Sequence, residues 1–272
     1  YPWGREVSAN SYPGLPFAAA AVYLFLSGIG LQIDLLQMCW AWPAVMGALT
    51  SVAAYFLGKE VGSKKIGLLA ALFLALMPAY FQRTIAGFFD NETIGILLMV
   101  LTTYFYIRSI KRESIISGVF AGAALAYLSI TWGANIYFFY LIPLFNLVLL
   151  VTKKYRSFNL IPYSLTVGLL IGTHIPMFGG VNILMESQAL IAIGVLGILA
   201  LYEVLNRFRK TPLYDRIKFY RLPITGGILC TLAASLLVLT LTGQISVIAS
   251  LIESGLGLSA RFISIINPLS RS

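Results

Sequence analysis

Two carboxylates and one guanidinium lie close together in a chain that is otherwise strongly apolar. The stretch RTIAGFFDNETIGI contains Arg83, Asp90 and Glu92, and the apolar runs on either side of it, 68–81 and 93–107, carry no charge. A carboxylate at a membrane boundary is costly unless it is paired, hydrated or bound to a cation. Two acids spaced two residues apart can direct their oxygens at one hard cation such as Mg²⁺ or Mn²⁺. These three residues are therefore the first candidates for chemistry.

Each of these residues also has an interpretation in which it plays no catalytic or metal-binding role. The two acids can simply meet water on a solvated loop. Arg83 can pair with them, hold a phosphate through its planar donors, or anchor a helix end at the membrane interface. The spacing leaves these alternatives open, and the choice between them depends on the elements that position the residues.

The composition is that of an integral membrane protein. Of the 272 residues, 59% are hydrophobic and 11% are charged, whereas soluble domains carry about 25% charged residues. The apolar runs are too continuous for the alternating strands of a membrane barrel, so they predict helices. The net charge of +9 does not indicate a nucleic acid partner, because the basic residues fall in short clusters between apolar runs.

Eight apolar segments have about the 17–25 residues that a membrane-spanning helix needs. They are, approximately, 40–58, 66–82, 93–107, 114–132, 134–152, 159–176, 183–205 and 222–242. A ninth apolar run, at 17–31, is shorter and fits either a span or a helix on the outer surface. We therefore predict an all-α polytopic membrane protein with about eight spanning helices.

The basic residues predict the orientation of these spans. With eight alternating spans, all but four of the 19 Lys and Arg residues fall on one side of the membrane. By the positive-inside rule that side faces the cytoplasm. The four exceptions are Arg5, Arg83, Arg261 and Arg271. Asp90 and Glu92 then lie on the outer face.

Four stretches, in order, resemble the catalytic subunit of oligosaccharyltransferase, the enzyme of asparagine-linked glycosylation, in its archaeal and eukaryotic type. RTIAGFFDNETIGI resembles the arginine and the acidic D-x-E/D motif of that family's second external loop. YPWGREVSANSYPGLPF (1–17) resembles its YPxGR…YPGL segment, and SITWGANIYFFYLIPL (129–144) resembles its A-W-G-G-Y…LIPLH segment. GLSARFISIINPLSRS (257–272) resembles the stretch before its fifth-loop glutamate. The resemblance covers essentially the whole chain.

The resemblance implies the fold and the reaction. The fold would be the GT-C type glycosyltransferase transmembrane domain, with 1–39 as the rear part of the first external loop. The run 17–31 would then be an external interfacial helix. Residues 40–242 would form the transmembrane helix bundle, and 243–272 the start of a later external loop. The reaction would be transfer of a preassembled glycan from a lipid phosphate or diphosphate carrier to the Asn of N-x-S/T sequons.

The resemblance also implies roles for individual residues. Asp90 matches a metal ligand, Glu92 matches the second acidic position near the metal, and Arg83 matches an arginine beside the active site. For Trp132 the resemblance implies a place beside the lipid-donor site, whereas Tyr137 is a candidate donor contact by residue type alone, and both residues also fit an aromatic belt at the outer membrane interface. The implied cofactor is Mn²⁺ or Mg²⁺. The implied partners are a lipid-linked oligosaccharide, an acceptor polypeptide with an N-x-S/T sequon and membrane lipids, at a cell membrane with the site facing outside.

Three features of the family have no match in these residues. They are the acidic motif of the first loop, the fifth-loop glutamate and the C-terminal domain with its W-W-D motif. We therefore expect the chain to be a fragment that is inactive alone.

Two other functions compete with this one. A transporter or channel with an acidic outer vestibule would carry further charged residues near the midplane of several helices. Another GT-C glycosyltransferase would keep an acidic first loop but lack the FDNE, TWG and NPLSRS series.

Overall fold

The structure, a computed structural model, describes residues 12–178 and 187–208, and every regular element in these ranges is helical. The helices are α1 (Gly14–Gly28), α2 (Leu35–Val61), α3 (Lys64–Leu76), α4 (Pro78–Phe81), α5 (Asn91–Arg112), α6 (Ile115–Ser129), α7 (Ile136–Val151), α8 (Leu160–Phe178) and α9 (Ser187–Phe208). Short 3₁₀ turns, Gly133–Asn135 and Ser157–Asn159, precede α7 and α8. The prediction of an all-α membrane protein is confirmed.

Most of the predicted spans coincide with helices. Among the described residues, five helical segments are long and apolar enough to cross a membrane: Leu35–Val61, Asn91–Arg112, Gly133–Val151, Ser157–Ile175 and Gln188–Arg207. The predicted spans at 66–82 and 114–132 correspond to shorter helices, α3 with α4 and α6. The predicted span 222–242 and the external segment 243–272 lie outside the described residues.

Pro78 divides the second predicted span into two helices. The α3 helix ends at Leu76, Met77 is extended with a ψ of 116°, and Pro78 opens α4 at its first position. A residue before proline avoids helical torsions, and proline has no N–H to continue the ladder. Pro43 and Pro143, by contrast, lie inside α2 and α7. Membrane helices tolerate an internal proline when neighbouring groups satisfy the freed backbone carbonyls.

Glycines allow neighbouring helices to approach closely. A Cβ on Gly58 of α2 would lie 2.9 Å from the Cα of Gly67 on α3. A Cβ on Gly122 of α6 would lie 3.0 Å from the carbonyl oxygen of Leu165 on α8. Small residues at such crossings are typical of helix packing in membranes, where van der Waals contact drives association.

Ion pairs join helix ends at the basic end of the bundle. Arg112 at the end of α5 makes two contacts with the Glu60 carboxylate on α2, at 2.9 and 3.1 Å. Lys111 donates to the carbonyl of Glu60. Arg156 pairs with Glu113 at 2.8 Å. This is the end that the positive-inside rule predicts to face the cytoplasm, and α5 carries Asp90 at its opposite end.

The α1 helix begins at the acidic end of the bundle. The N–H of Gly14 donates to the carbonyl of Ile130 at 2.8 Å, just beyond the end of α6. The α1 helix carries no charged residue, and Phe17 and Phe25 are exposed. An uncharged helix with exposed aromatic side chains fits the prediction of an interfacial helix at 17–31, which stays a prediction.

Candidate active site

Asp90 caps the first turn of α5. Its Oδ1 accepts a hydrogen bond from the N–H of Asn91 at 2.6 Å. Its carbonyl accepts from the Thr93 hydroxyl at 2.7 Å and from the Thr93 N–H at 3.1 Å. Free N–H groups and the helix dipole at a helix N-terminus favour negative charge. The helix start therefore stabilises the Asp90 carboxylate and fixes its place in the fold.

Glu92 lies in the same first turn and pairs with Arg83. The Nε of Arg83 lies 3.1 Å from Oε2 of Glu92, with the Arg83 side chain 47% exposed and the Glu92 side chain 25% exposed. The guanidinium also lies over the ring of Phe88, 5.3 Å from its centroid. The structure therefore pairs Arg83 with Glu92 and places Asp90 two residues before Glu92, at the start of the same helix.

The segment 82–90, which carries Arg83 and Asp90 and leads into α5, is called the acid loop below, and it is attached to α2 at three points. The N–H of Gly87 donates to the carbonyl of Trp40 at 2.8 Å. Phe89 packs edge-on against Trp42 with ring centroids 6.3 Å apart. A Cβ on Gly47 would lie 2.9 Å from the Cβ of Thr84, which shows how closely the loop approaches the helix.

Trp132 packs against the same turn of α5. A Cβ on Gly95 would lie 2.6 Å from Cε3 of the indole and 3.2 Å from its Cδ2, so the ring lies directly on the helix backbone. Gly95 follows Glu92 by three residues. The structure thus places Trp132 against the start of α5, the helix that carries Asp90 and Glu92 (the acid pair), and its assignment to the lipid donor stays a prediction.

Tyr137 is one turn further along the chain. It lies at the start of α7 and is 65% exposed. Its contact with a lipid donor stays a prediction.

An open cleft lies beside the acid loop. It has a volume of about 360 Å³ and is lined by Leu36, Gln37, Cys39, Trp40, Gly87 and Phe89. Phe89 is the residue directly before Asp90 in the chain, and neither Asp90 nor Glu92 lines the cleft. Its lining is mostly apolar and aromatic.

The chemistry of the acid pair fits a hard divalent cation in part. Carboxylate oxygens are the ligands that Mg²⁺ and Mn²⁺ prefer, and Asp90 and Glu92 bring two such groups to one helix turn. In residues 12–178 and 187–208, no three His, Cys, Asp or Glu side chains form a group that could hold a metal ion. The described residues therefore bring two carboxylates to this helix start, and their binding of a metal ion stays a prediction.

Several positioning residues were not found from the sequence. Gly95, Gly87 and Trp40 hold the acid loop and the first turn of α5 through backbone and ring contacts. The glycine in NETIG, inside the first turn of an apolar helix, was the available signal for a close contact. Nothing in the spacing could have named the Trp40 carbonyl as the acceptor.

Comparisons with known proteins agree on one family. The family model described as "Oligosaccharyl transferase STT3, N-terminal" matches residues 1–270. The dolichyl-diphosphooligosaccharide–protein glycosyltransferase subunit STT3 of Dictyostelium discoideum is 32% identical over 272 residues, which is 98% of this chain and 36% of that protein. The chain thus spans about a third of the length of this relative.

Two solved structures of an oligosaccharyltransferase from Archaeoglobus fulgidus have a similar fold. AglB, in complex with an inhibitory peptide and a dolichol-phosphate, gives a TM-score of 0.62 at 19% identity, covering 85% of this chain and 29% of that one. The complex with Zn and sulfate gives a TM-score of 0.61 at 18% identity, covering 85% of this chain and 31% of that one. At these identities the likeness concerns the fold.

Proposed function

Because this chain belongs to the oligosaccharyl transferase STT3 family, we propose that it contributes to a glycosyltransferase of asparagine-linked glycosylation. The reaction is transfer of a preassembled glycan from a lipid phosphate or diphosphate carrier to the Asn of an N-x-S/T sequon. The observation that carries this proposal is the acid pair at the start of α5, where Arg83 contacts Glu92 at 3.1 Å and Asp90 caps the helix.

The arrangement supplies what amide glycosylation requires. An amide nitrogen is a poor nucleophile, because its lone pair is delocalised into the carbonyl. The Asp90 and Glu92 carboxylates can accept hydrogen bonds from the N–H groups of the acceptor Asn and weaken that conjugation. The Arg83 guanidinium holds Glu92 in place and adds positive charge next to the position of a departing phosphate.

We assign the metal-binding role to Asp90, with Glu92 close to the ion. A bound Mn²⁺ or Mg²⁺ would offset the negative charge of the departing lipid phosphate. The oligosaccharyltransferase of Archaeoglobus fulgidus has been solved in complex with Zn and sulfate, so a protein of similar fold is known with a divalent cation. The choice of Mn²⁺ or Mg²⁺ is part of the proposal.

The proposed partners are a lipid-linked oligosaccharide, an acceptor polypeptide with a sequon and membrane lipids. AglB has been solved with a peptide and a dolichol-phosphate. The open cleft beside the acid loop offers space for a substrate group, and we assign Trp132 and Tyr137 to the lipid donor. The proposed location is a cell membrane with the site facing outside. Within it, 1–39 and 243–272 would be external and 40–242 would form the bundle.

The transporter alternative is not favoured. It predicted charged residues near the midplane of several helices, whereas charged residues in the described helices lie towards the helix ends. The family match also points to a transferase.

The test is a transfer assay on the full-length natural protein with lipid-linked glycan, a fluorescent sequon peptide and Mn²⁺. We expect Asp90→Asn to lower the rate of glycopeptide formation by at least about 100-fold. The substitution removes the negative charge of the Asp90 carboxylate at a position where charge is redistributed during the reaction. Asp34→Asn is the matched control, because Asp34 also precedes a helix as its N-cap, without a side-chain cap hydrogen bond.

The outcomes separate the proposal from its alternatives. Loss of metal-dependent transfer in Asp90→Asn, with Asp34→Asn near the wild-type rate, would place Asp90 at the reacting centre. Equal rates in all three proteins would reduce the acid pair to a helix cap and a surface ion pair.

A further inference from the structure

Trp132 links the acid pair to the end of α6. Its indole ring lies on the backbone of Gly95, with 2.6 Å between Cε3 and the position that a Cβ would take. Any side chain at Gly95 would therefore force the ring or the helix to move. Glycine inside a helix is destabilising relative to alanine, and the close approach of the ring accounts for a glycine at this position.

The backbone around Trp132 is itself held firmly. The N–H of Trp132 donates to the carbonyl of Leu128 at 2.9 Å. The carbonyl of Trp132 accepts from Nδ2 of Asn135 at 2.9 Å and from the Asn135 N–H at 3.2 Å. Asn135 is buried. The indole therefore extends from a fixed turn and can act as a fixed surface for α5.

The same turn is attached to the start of α1. The hydroxyl of Tyr127 donates to the carbonyl of Gly14 at 2.7 Å, and the hydroxyl of Thr131 donates to the carbonyl of Tyr127 at 2.7 Å. The N–H of Gly14 in turn donates to the carbonyl of Ile130. The contacts thus form one series from α1 through the turn at 130–135 to the first turn of α5.

We propose that Trp132 and Gly95 are positioning residues for the acid pair. The indole fixes the first turn of α5, and with it Asp90 and Glu92, relative to the turn at 130–135. This inference rests on the proposed function of Asp90 and Glu92, and it adds to Trp132 a role that does not depend on contact with the lipid donor. Groups that orient metal-binding carboxylates alter metal affinity by about 10- to 100-fold when they are changed.

The decisive variant is Gly95→Ala in the full-length protein. The added methyl group displaces the indole or the first turn of α5, so we expect Mn²⁺ affinity to fall about 10-fold. Free Mn²⁺ in a titration without substrates is measured by electron paramagnetic resonance. The rate of sequon transfer as a function of Mn²⁺ is measured on the same preparation.

Gly122→Ala is the matched control. A Cβ on Gly122 would lie 2.7 Å from Cδ1 of Leu169 and 3.0 Å from the Leu165 carbonyl oxygen, a collision of similar severity between α6 and α8. This variant is expected to lower the thermal unfolding midpoint. Its Mn²⁺ affinity should stay within about twofold of wild type, because Gly122 and the acid pair share no contact and substitutions at separate sites act independently.

A double variant tests the contact itself. Once Trp132→Leu removes the ring, the methyl group of Gly95→Ala has no indole to displace. We therefore expect Gly95→Ala to add little to the loss of Mn²⁺ affinity in the Trp132→Leu background, which is the non-additivity of residues in direct contact.

Each outcome decides the inference. The inference is supported if Gly95→Ala weakens Mn²⁺ binding and Gly122→Ala does not. The effects of Gly95→Ala and Trp132→Leu must also be non-additive in the double variant. Equal effects of Gly95→Ala and Gly122→Ala on Mn²⁺ affinity would overturn it, although the wild-type protein would still transfer glycan. A wild-type protein that neither binds Mn²⁺ nor transfers glycan would overturn the proposed function and this inference together.

Discussion

Gly87 is the residue on which the attachment of the acid loop to α2 depends most directly. Its φ is +93°, and its N–H donates to the carbonyl of Trp40 at 2.8 Å. A Cβ there would lie 3.2 Å from Cδ1 and Nε1 of the Trp40 ring. Positive φ is unfavourable for residues that carry a Cβ. Two separate constraints, the backbone torsion and the ring contact, therefore require glycine here.

Gly87→Ala and Gly30→Ala separate these two constraints. Gly30 has a φ of +87° but no atom within 4 Å of the position of its Cβ, so alanine there adds only the torsional strain of about 1–2 kcal/mol. We expect Gly87→Ala to lower the thermal unfolding midpoint further and also to weaken Mn²⁺ binding, because the acid loop must move away from Trp40. Equal unfolding midpoints and equal Mn²⁺ affinities in the two variants would contradict a role for the ring contact.

The sequence was enough to select the two acids, but it did not show which of them forms the ion pair with Arg83. Spacing in a charge-poor region was enough to select Arg83, Asp90 and Glu92. The choice of Glu92 as the ion-pair partner of Arg83, with Asp90 as the helix cap, depends on the path of the acid loop over α2. The contact between Gly95 and Trp132 joins residues on different elements, so no local pattern could reveal it.

At the level of elements, hydropathy and charge predicted which segments are helical, and proline did not reliably predict where helices end. Pro43 and Pro143 lie inside helices, whereas Pro78 separates α3 from α4. The difference depends on whether neighbouring groups satisfy the freed carbonyls, which is a property of packing rather than of sequence.

The α2–α3 hairpin gives a prediction at this scale. A Cβ on Gly67 would lie 2.5 Å from the carbonyl oxygen of Tyr55 and 3.1 Å from the backbone nitrogen of Lys59. Backbone atoms cannot move aside as a flexible side chain can, so Gly67→Ala should separate the two helices and lower the thermal unfolding midpoint in detergent by several degrees.

Gly172→Ala on α8 is the control for this variant. Nothing lies within 4 Å of the position of its Cβ, and alanine favours the helix by about 1 kcal/mol over glycine. We expect an unchanged or slightly higher midpoint. A Gly67→Ala protein as stable as Gly172→Ala would show that the helices can separate without loss of stability.

At the scale of the whole molecule, the two ends of the bundle differ in charge. The ion pairs of Glu60 with Arg112 and of Glu113 with Arg156 lie at one end, and the acid loop lies at the other. Hydropathy and charge counting predicted this polarity from the sequence. They could not predict the contacts that join the ends, since these depend on which helices become neighbours.

Labelling of introduced cysteines tests the orientation. In a background with every native cysteine replaced, Ser27→Cys near the end of α1 and Ser63→Cys between α2 and α3 should lie on opposite sides of the membrane. A membrane-impermeant maleimide added to intact cells is expected to label the first and to reach the second only after permeabilisation. The reverse pattern would place the acid loop in the cytoplasm.

The two short helices also have a consequence for the surrounding bilayer. With 13 and 15 residues, α3 and α6 are about 20 and 22 Å long, whereas the hydrocarbon layer is about 30 Å thick. Both helices lead directly to the site, α3 through α4 to the acid loop and α6 to Trp132. Local thinning of the lipid layer is one way in which such hydrophobic mismatch is relieved. With thinning, the headgroup plane would dip beside the acid pair, and under the proposed function the phosphate of the lipid donor could approach Asp90 without leaving its own leaflet.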